Sequence, residues 1–458
     1  MSELKPTASP ASPPPSPYPP GLYDAWRFAA FNGLSFQIVL GSPMILYAKT
    51  LNASATVLGI IAGMMPLLVI FQIPAAHYIE RVGYKRFVLA GWGTRTLFTF
   101  AMALVPLTTG FLDQTTRLVL ILTALFGFNL VRGIASCAWL PWIASLVPEH
   151  LRGRYVSRDA AMANLGSFLT VIASAACLGE TPRPWQYTVI FTFSAAMGLV
   201  SLVFLRRVPD VEITEKERGS NTPVPWLAML RHPPFQKLLQ LVVVWSVAYG
   251  GLTAFTVAFL KTETVLPSGK ILLVTSVAFL GGLSSLWFLG HRLDHFGSKP
   301  VLVFALGVWI LILAAWIAMA GGVVAAHLPL ILLLQFLMGL FAALVAIAQN
   351  RLAMAVIPPM GRNHFFALYS VLANVTLGLA PIAWGLVIDS VGFRHGRLLE
   401  LDWNQYTIFY TMVLAVLILG LVTAGRLHEP KAASLETLLT EFLVATPRRL
   451  WSRFWPRD

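Results

Sequence analysis

Charge is scarce in this sequence. Asp, Glu, Lys and Arg make up 12% of its 458 residues, about half the share of a soluble domain, which excludes an ordinary water-soluble globule. Cysteine is nearly absent: Cys137 and Cys177 both lie inside apolar runs, where a thiol behaves as a small hydrophobe and builds neither a disulfide framework nor a metal set. No Gly-rich loop ending in Lys-Ser or Lys-Thr occurs, so ATP-driven pumping has no support and no cofactor is expected. The first twenty residues hold eight prolines and no apolar run. They cannot form a signal peptide, and residues 1–22 read as a disordered tail.

Acidic residues are also missing from one kind of place. Glu80, Glu180, Glu263, Asp294 and Asp389 fall at the ends of apolar runs or between them. No carboxylate stands mid-run to carry a proton or sodium ion, which favours an anionic or neutral polar solute over a cation. His291 and His295 are four apart beside Asp294, but loop histidines are usually solvated, and no metal is expected.

What the chain does have is hydrophobicity, 57% of its residues, in runs of about twenty that match the thickness of a bilayer. Twelve such runs cover 24–48, 55–77, 86–108, 117–146, 159–179, 186–206, 237–260, 270–290, 299–321, 327–357, 364–389 and 406–426. An even number places both termini on one side. That side carries about 24 Lys and Arg against about seven on the other, so the termini are expected to be cytoplasmic in a multi-pass inner-membrane protein. The net charge of +13 is thus spread over short loops, which points to membrane lipid and away from nucleic acid.

A polar stretch at 207–236 divides the runs six and six. The expected organisation is the tail 1–22, a first bundle at 23–206, the linker 207–236, a second bundle at 237–427, and a basic tail at 428–458. In that last tail Leu435, Leu438, Leu439, Phe442 and Leu443 recur at helical spacing after Ser434, a pattern that lies on an anionic headgroup layer. The alternative is a solvated, frayed tail.

The two halves repeat. Ala76-His-Tyr-Ile-Glu80-Arg81-Val-Gly83-Tyr-Lys85-Arg86 follows the second run, and Gly290-His-Arg-Leu-Asp294-His-Phe-Gly297-Ser-Lys299 follows the eighth, with positions 80 and 294 lying 214 apart. Likewise Arg152-Gly153-Arg154 follows the fourth run and Gly361-Arg362 the tenth, with the glycines 208 apart. Four loops in register are the mark of a fold built from internal repeats.

These loops resemble the signature of the major facilitator superfamily, Gly-x-Leu-Ala-Asp-Arg-x-Gly-Arg-Lys. The resemblance implies an all-α membrane protein of twelve transmembrane helices in two pseudo-symmetric six-helix bundles, working as a monomeric secondary transporter of a small solute by alternating access. It also implies gating contacts at Glu80, Arg81, Gly83, Lys85, Asp294, Gly297, Lys299, Arg154 and Arg362, although the basic residues would anchor topology in any case. The fifth run lacks the Gly-Pro signature of antiporters, whereas Gly378, Pro381 and Gly385 in the eleventh keep comparable spacing. That weakens a drug-antiporter assignment.

Two cations fall inside runs, where each costs at least ~2.5 kcal/mol to insert. Because the fourth helix lines the family's cavity and the third packs outside it, Arg132 is expected to contact substrate and Arg95 to brace the structure. The alternative for Arg132 is a helix brace. Asn129, Gln37, Tyr249 and Gln335, on helices that line the cavity in the family, are the other binding candidates, each with a helix-packing alternative. The Tyr249-Gly250-Gly251 step is expected to bend its helix. The rival readings are efflux of lipophilic compounds and, from another class, a membrane-embedded transferase or hydrolase. The latter lacks a converging set of acid-base or nucleophilic residues, so the chain is read as no enzyme.

Overall fold

A computed structural model of the chain describes residues 21–148, 151–211, 230–289, 297–356, 362–392, 396–398 and 400–427. Twelve of its helices are long and apolar enough to cross a membrane. They are α1 (Leu22–Thr50), α2 (Ala55–Val82), α3 (Tyr84–Gly110), α4 (Gln114–Leu146), α5 (Arg158–Leu178) and α6 (Pro184–Arg207) in the first half. The second half holds α7 (Pro233–Thr262), α8 (Ser268–Ser285), α9 (Ser298–Ala320), α10 (Leu328–Val356), α11 (Phe365–Val391) and α12 (Gln405–Gly425). Each overlaps the apolar run expected at its place. Residues 1–20 of the tail expected at 1–22, residues 212–229 of the linker expected at 207–236, and the whole tail expected at 428–458 lie outside the described residues.

One element departs from an all-helical chain. Between α11 and α12, β1 (Gly396–Leu398) pairs antiparallel with β2 (Leu401–Trp403), Leu398 facing Leu401. Three-residue strands are too short to leave a period-two signal in sequence.

Packing repeats with a shift of six helices. In the first half α1 lies against α5 and α6, α3 against α4 and α6, and α2 against α4. In the second, α7 lies against α11 and α12, α9 against α10 and α12, and α8 against α10. The halves meet along α2–α11 and α5–α8, two contacts that the same shift exchanges. Small residues allow the close approach, as expected where no water drives helices together. A Cβ on Gly63 would overlap the carbonyl of Gly378 across the α2–α11 crossing.

Breaks repeat as well. α1 is interrupted at Gly41, with Pro43 opening its second segment, and α7 is interrupted at Gly250 and Gly251, the latter at φ 78°. That left-handed conformation is open to glycine at little cost, and it places the bend of α7 where the Gly-Gly step predicts it. The repeated loops share a turn too: Gly83 has φ 85° and Gly297 φ 83°. Gly83 also donates its N–H to the Ile79 carbonyl at 2.8 Å, closing the end of α2.

Candidate functional site

Between the halves lies a cavity of about 750 Å³, within the range that holds a small organic molecule. Seven helices line it: α1, α2, α5, α7, α8, α10 and α11. The lining follows helical periodicity. On α10, Gln335, Met338, Gly339, Ala342, Ala346 and Gln349 face the space, a stripe of i, i+3, i+4, i+7, i+11 and i+14 that keeps to one side of the helix. The helix breaks at Gly41 and at Gly250–Gly251 both border the cavity, the place where transporter folds commonly break their helices.

Among the described residues, no Asp, Glu, Lys, Arg or His lines the cavity. Its polar groups are carboxamides and hydroxyls: Gln37 on α1, Asn164 on α5, Gln335 and Gln349 on α10, Asn374 on α11, and Tyr249 on α7. Gln335 is 3% exposed and Gln349 6%, and Gln349 Nε2 has no hydrogen-bond partner among the described residues. Asn374 Nδ2 donates to the Ser370 carbonyl at 2.8 Å. Trp245 stacks on Tyr249 with ring centroids 5.1 Å apart, and the buried Trp309 meets both rings edge-on.

The space is sealed at the ends of the helices opposite the start of α1 and the end of α12. There Asp389 of α11 accepts hydrogen bonds from the N–H groups of Ala55 and Thr56 and from the Thr56 hydroxyl. Gly269 N–H donates to the Gly179 carbonyl at 2.7 Å, joining α8 to α5, and the second segments of α1 and α7 pack together. At the other end Tyr78, Glu80 and Arg81 of α2 are exposed.

Of the five expected binding residues, Gln37, Tyr249 and Gln335 line the cavity, and Asn129 and Arg132 do not, because no residue of α4 reaches it. Asn129 is fully buried and donates to the Leu125 carbonyl of its own helix at 3.0 Å. α4 instead packs on α3 and on α2, and a Cβ on Gly133, beside Arg132, would overlap the Leu68 carbonyl of α2. Arg95, 2% exposed, donates to Asn32 Oδ1 at 2.5 Å. Its guanidinium lies 5.1 Å from the Trp92 ring centroid and 5.3 Å from that of Phe128.

Among the expected gating residues, Glu80 and Arg81 are exposed and Lys85 and Lys299 partly so. Gly83 and Gly297 form the paired turns described above. Asp294 and the side chains of Arg154 and Arg362 lie outside the described residues. Asn164, Gln349 and Asn374 went unnoticed in sequence. Gln349 carried a usable signal, since its spacing of 14 from Gln335 is four helical turns; the asparagines sit on α5 and α11, helices not expected to reach the cavity.

Known proteins place this architecture. No curated protein matches the sequence. Among solved structures, a point mutant of the nucleoside transporter NupG superimposes with a TM-score of 0.70 at 11% identity, over 89% of this chain and 100% of that one. A D-xylose-proton symporter also reaches 0.70, at 13% identity over 90% and 98%. The xylose transporter XylE from E. coli, in an inward-open conformation, reaches 0.66 at 14% identity over 91% and 99%. At such identities the likeness is one of fold. The model of the Major Facilitator Superfamily matches twice, over residues 28–270 and 256–457, once for each half. This twelve-helix membrane protein, with its repeated loops, repeated packing and a cavity between its halves, is a transporter that belongs to the Major Facilitator Superfamily.

Proposed function

We propose that the chain moves a small polar solute across the membrane by alternating access. The solute sits in the cavity between the halves, and residues 23–206 and 237–427 rock against each other about it. The observation that carries this reading is a cavity between two halves of repeated packing, with cross-half hydrogen bonds at one of its ends. Asp389 and the Gly269–Gly179 bond join the two halves at one end of the cavity, across crossings that the six-helix repeat exchanges, α2–α11 for α5–α8. Such a state has a symmetric counterpart, in which Glu80 and Asp294 close the end that carries the termini. The distribution of Lys and Arg assigns that end to the cytoplasm.

An uncharged lining favours the neutral polar branch of the expected substrates over the anionic one. The guanidinium of Arg132 has no support as a solute contact from this cavity. Efflux of lipophilic compounds fits the apolar share of the wall but leaves its carboxamides unused.

Ala346 lines the cavity and is exposed, which makes it a reporter. In a background carrying Cys137→Ser and Cys177→Ser, a cysteine at position 346 should react with membrane-impermeant thiol reagents from the cytoplasmic side at rest. During solute turnover it should react from the opposite side as well. Labelling from one side only, under all conditions that support transport, would rule out alternating access.

A further inference from the structure

The chemistry of the wall narrows the solute class. Building on the reading of this cavity as the transport site, we propose that the solute is uncharged, carries a ring that lies against the stacked Trp245–Tyr249 pair, and bears several donors and acceptors around its rim. Neutral glycosides and nucleosides have this chemistry.

Two observations support it independently. The first is the set of unused carboxamides. Gln335 and Gln349 are more than nine-tenths buried and point into the cavity, with Gln349 Nε2 unpartnered. Gln37 and Asn164, on the facing half, make no hydrogen bond to another described residue. A buried amide offers two donors and an acceptor with two lone pairs, and native structures rarely leave such groups unpaired. A solute with hydroxyl, amide or ring-nitrogen groups satisfies both kinds of atom at once, whereas an apolar solute would displace water and strand them.

The second is the aromatic wall. Trp245 and Tyr249 border the cavity and stack on each other at 13°, each with one face against its partner, and Trp309, 0% exposed, meets both edge-on at 5.6 Å and 6.0 Å. A pair fixed in this way pays little ordering cost on binding and leaves an outer face and the ring edges for contact with a ring. A charged solute, by contrast, would give up its hydration against a lining with no opposite charge.

The test compares neutral, anionic and cationic compounds built on one ring, with purified full-length protein. Methyl glucoside is compared with glucuronate and glucosamine, and uridine with its 5′-carboxylate and 5′-amino analogues. Binding is read by intrinsic tryptophan fluorescence and by the midpoint of thermal unfolding. A neutral parent should bind at least ten-fold more tightly than either charged analogue. Gln335→Leu and Gln349→Leu should each weaken it about ten-fold. Gln335→Glu, which keeps the side-chain length, should move the preference toward the amino compound.

A charged analogue that binds as tightly as its parent would overturn the proposal, as would neutral binding untouched by both leucine variants, or binding of no neutral compound. These outcomes are distinct from failure of the transport reading, which the two-sided labelling at position 346 decides without any of these compounds.

Discussion

Asp389, near the end of α11, accepts hydrogen bonds from Ala55 N at 2.9 Å, Thr56 N at 2.7 Å and Thr56 Oγ1 at 2.6 Å, so a carboxylate of one half caps the first turn of a helix in the other. Those N–H groups are among the ones an α-helix leaves unpaired at its start, where the helix dipole favours negative charge. The contact is exposed to solvent, which cuts the worth of its charge. Asp389→Ala should therefore weaken closure of this end by only about 1 kcal/mol, roughly five-fold in the balance between the two access states. The expected result is a change in transport rate of that order with normal membrane insertion, measured as initial uptake into proteoliposomes.

The α2–α11 crossing should tolerate no side chain at its closest point. Gly63 and Gly378 bring the two backbones into contact, and replacing Gly63 with leucine would hold the halves apart at the end that Asp389 seals. Each half packs independently of that crossing, so Gly63→Leu should insert and purify normally while transport falls more than about ten-fold, the rate following the population of the closed state. Normal uptake by this variant would show that the crossing is not part of the cycle.

Asn404 ties the start of α12 to the end of α9. Its Oδ1 accepts from Tyr406 N and Thr407 N, both at 2.9 Å, and its Nδ2 donates to the Ala320 carbonyl at 2.7 Å. Asn404→Ala removes an N-cap and strands a buried carbonyl, which should cost about 2 kcal/mol. The measurement is the thermal unfolding midpoint in detergent, and solute affinity of the folded fraction should not change.

Arg95 is held by Asn32 and by two aromatic faces, away from the cavity. Arg95→Ala should lower stability by about 2–4 kcal/mol, through lost packing and cation–π contact. Arg95→Met, which restores the volume without a buried charge, should recover most of that loss. A variant that folds normally yet fails to bind solute would move Arg95 from bracing to recognition.

Much of the fold could be read from the sequence because the bilayer imposes simple rules on it. Twelve apolar runs correspond to the twelve helices, and the bend of α7 was visible in Gly250–Gly251. The recurrence of Glu80–Gly83 as Asp294–Gly297 announced the repeat that the packing displays. The site was less legible for an equally physical reason. A glutamine such as Gln335 reads the same whether it faces a cavity or a neighbouring helix. Arg132 drew attention through the cost of burying charge, while the lining turned out to be uncharged and α4 turned elsewhere. Asp389 was visible only as an acid near the end of a run, since its partners at Ala55 and Thr56 lie more than 330 positions away.

The central claim is that solute crosses only if the end sealed by Asp389 opens and closes. Thr56 and Asp389 touch side chain to side chain, so the double variant Thr56→Cys, Asp389→Cys, made without Cys137 and Cys177, places two thiols at that seal. Solute counterflow is then measured in proteoliposomes before oxidation, after oxidation, and after reduction. The account predicts that transport stops when the disulfide forms and returns when it is reduced, with binding from the cytoplasmic side intact throughout. Transport at an undiminished rate through fully crosslinked protein would contradict it.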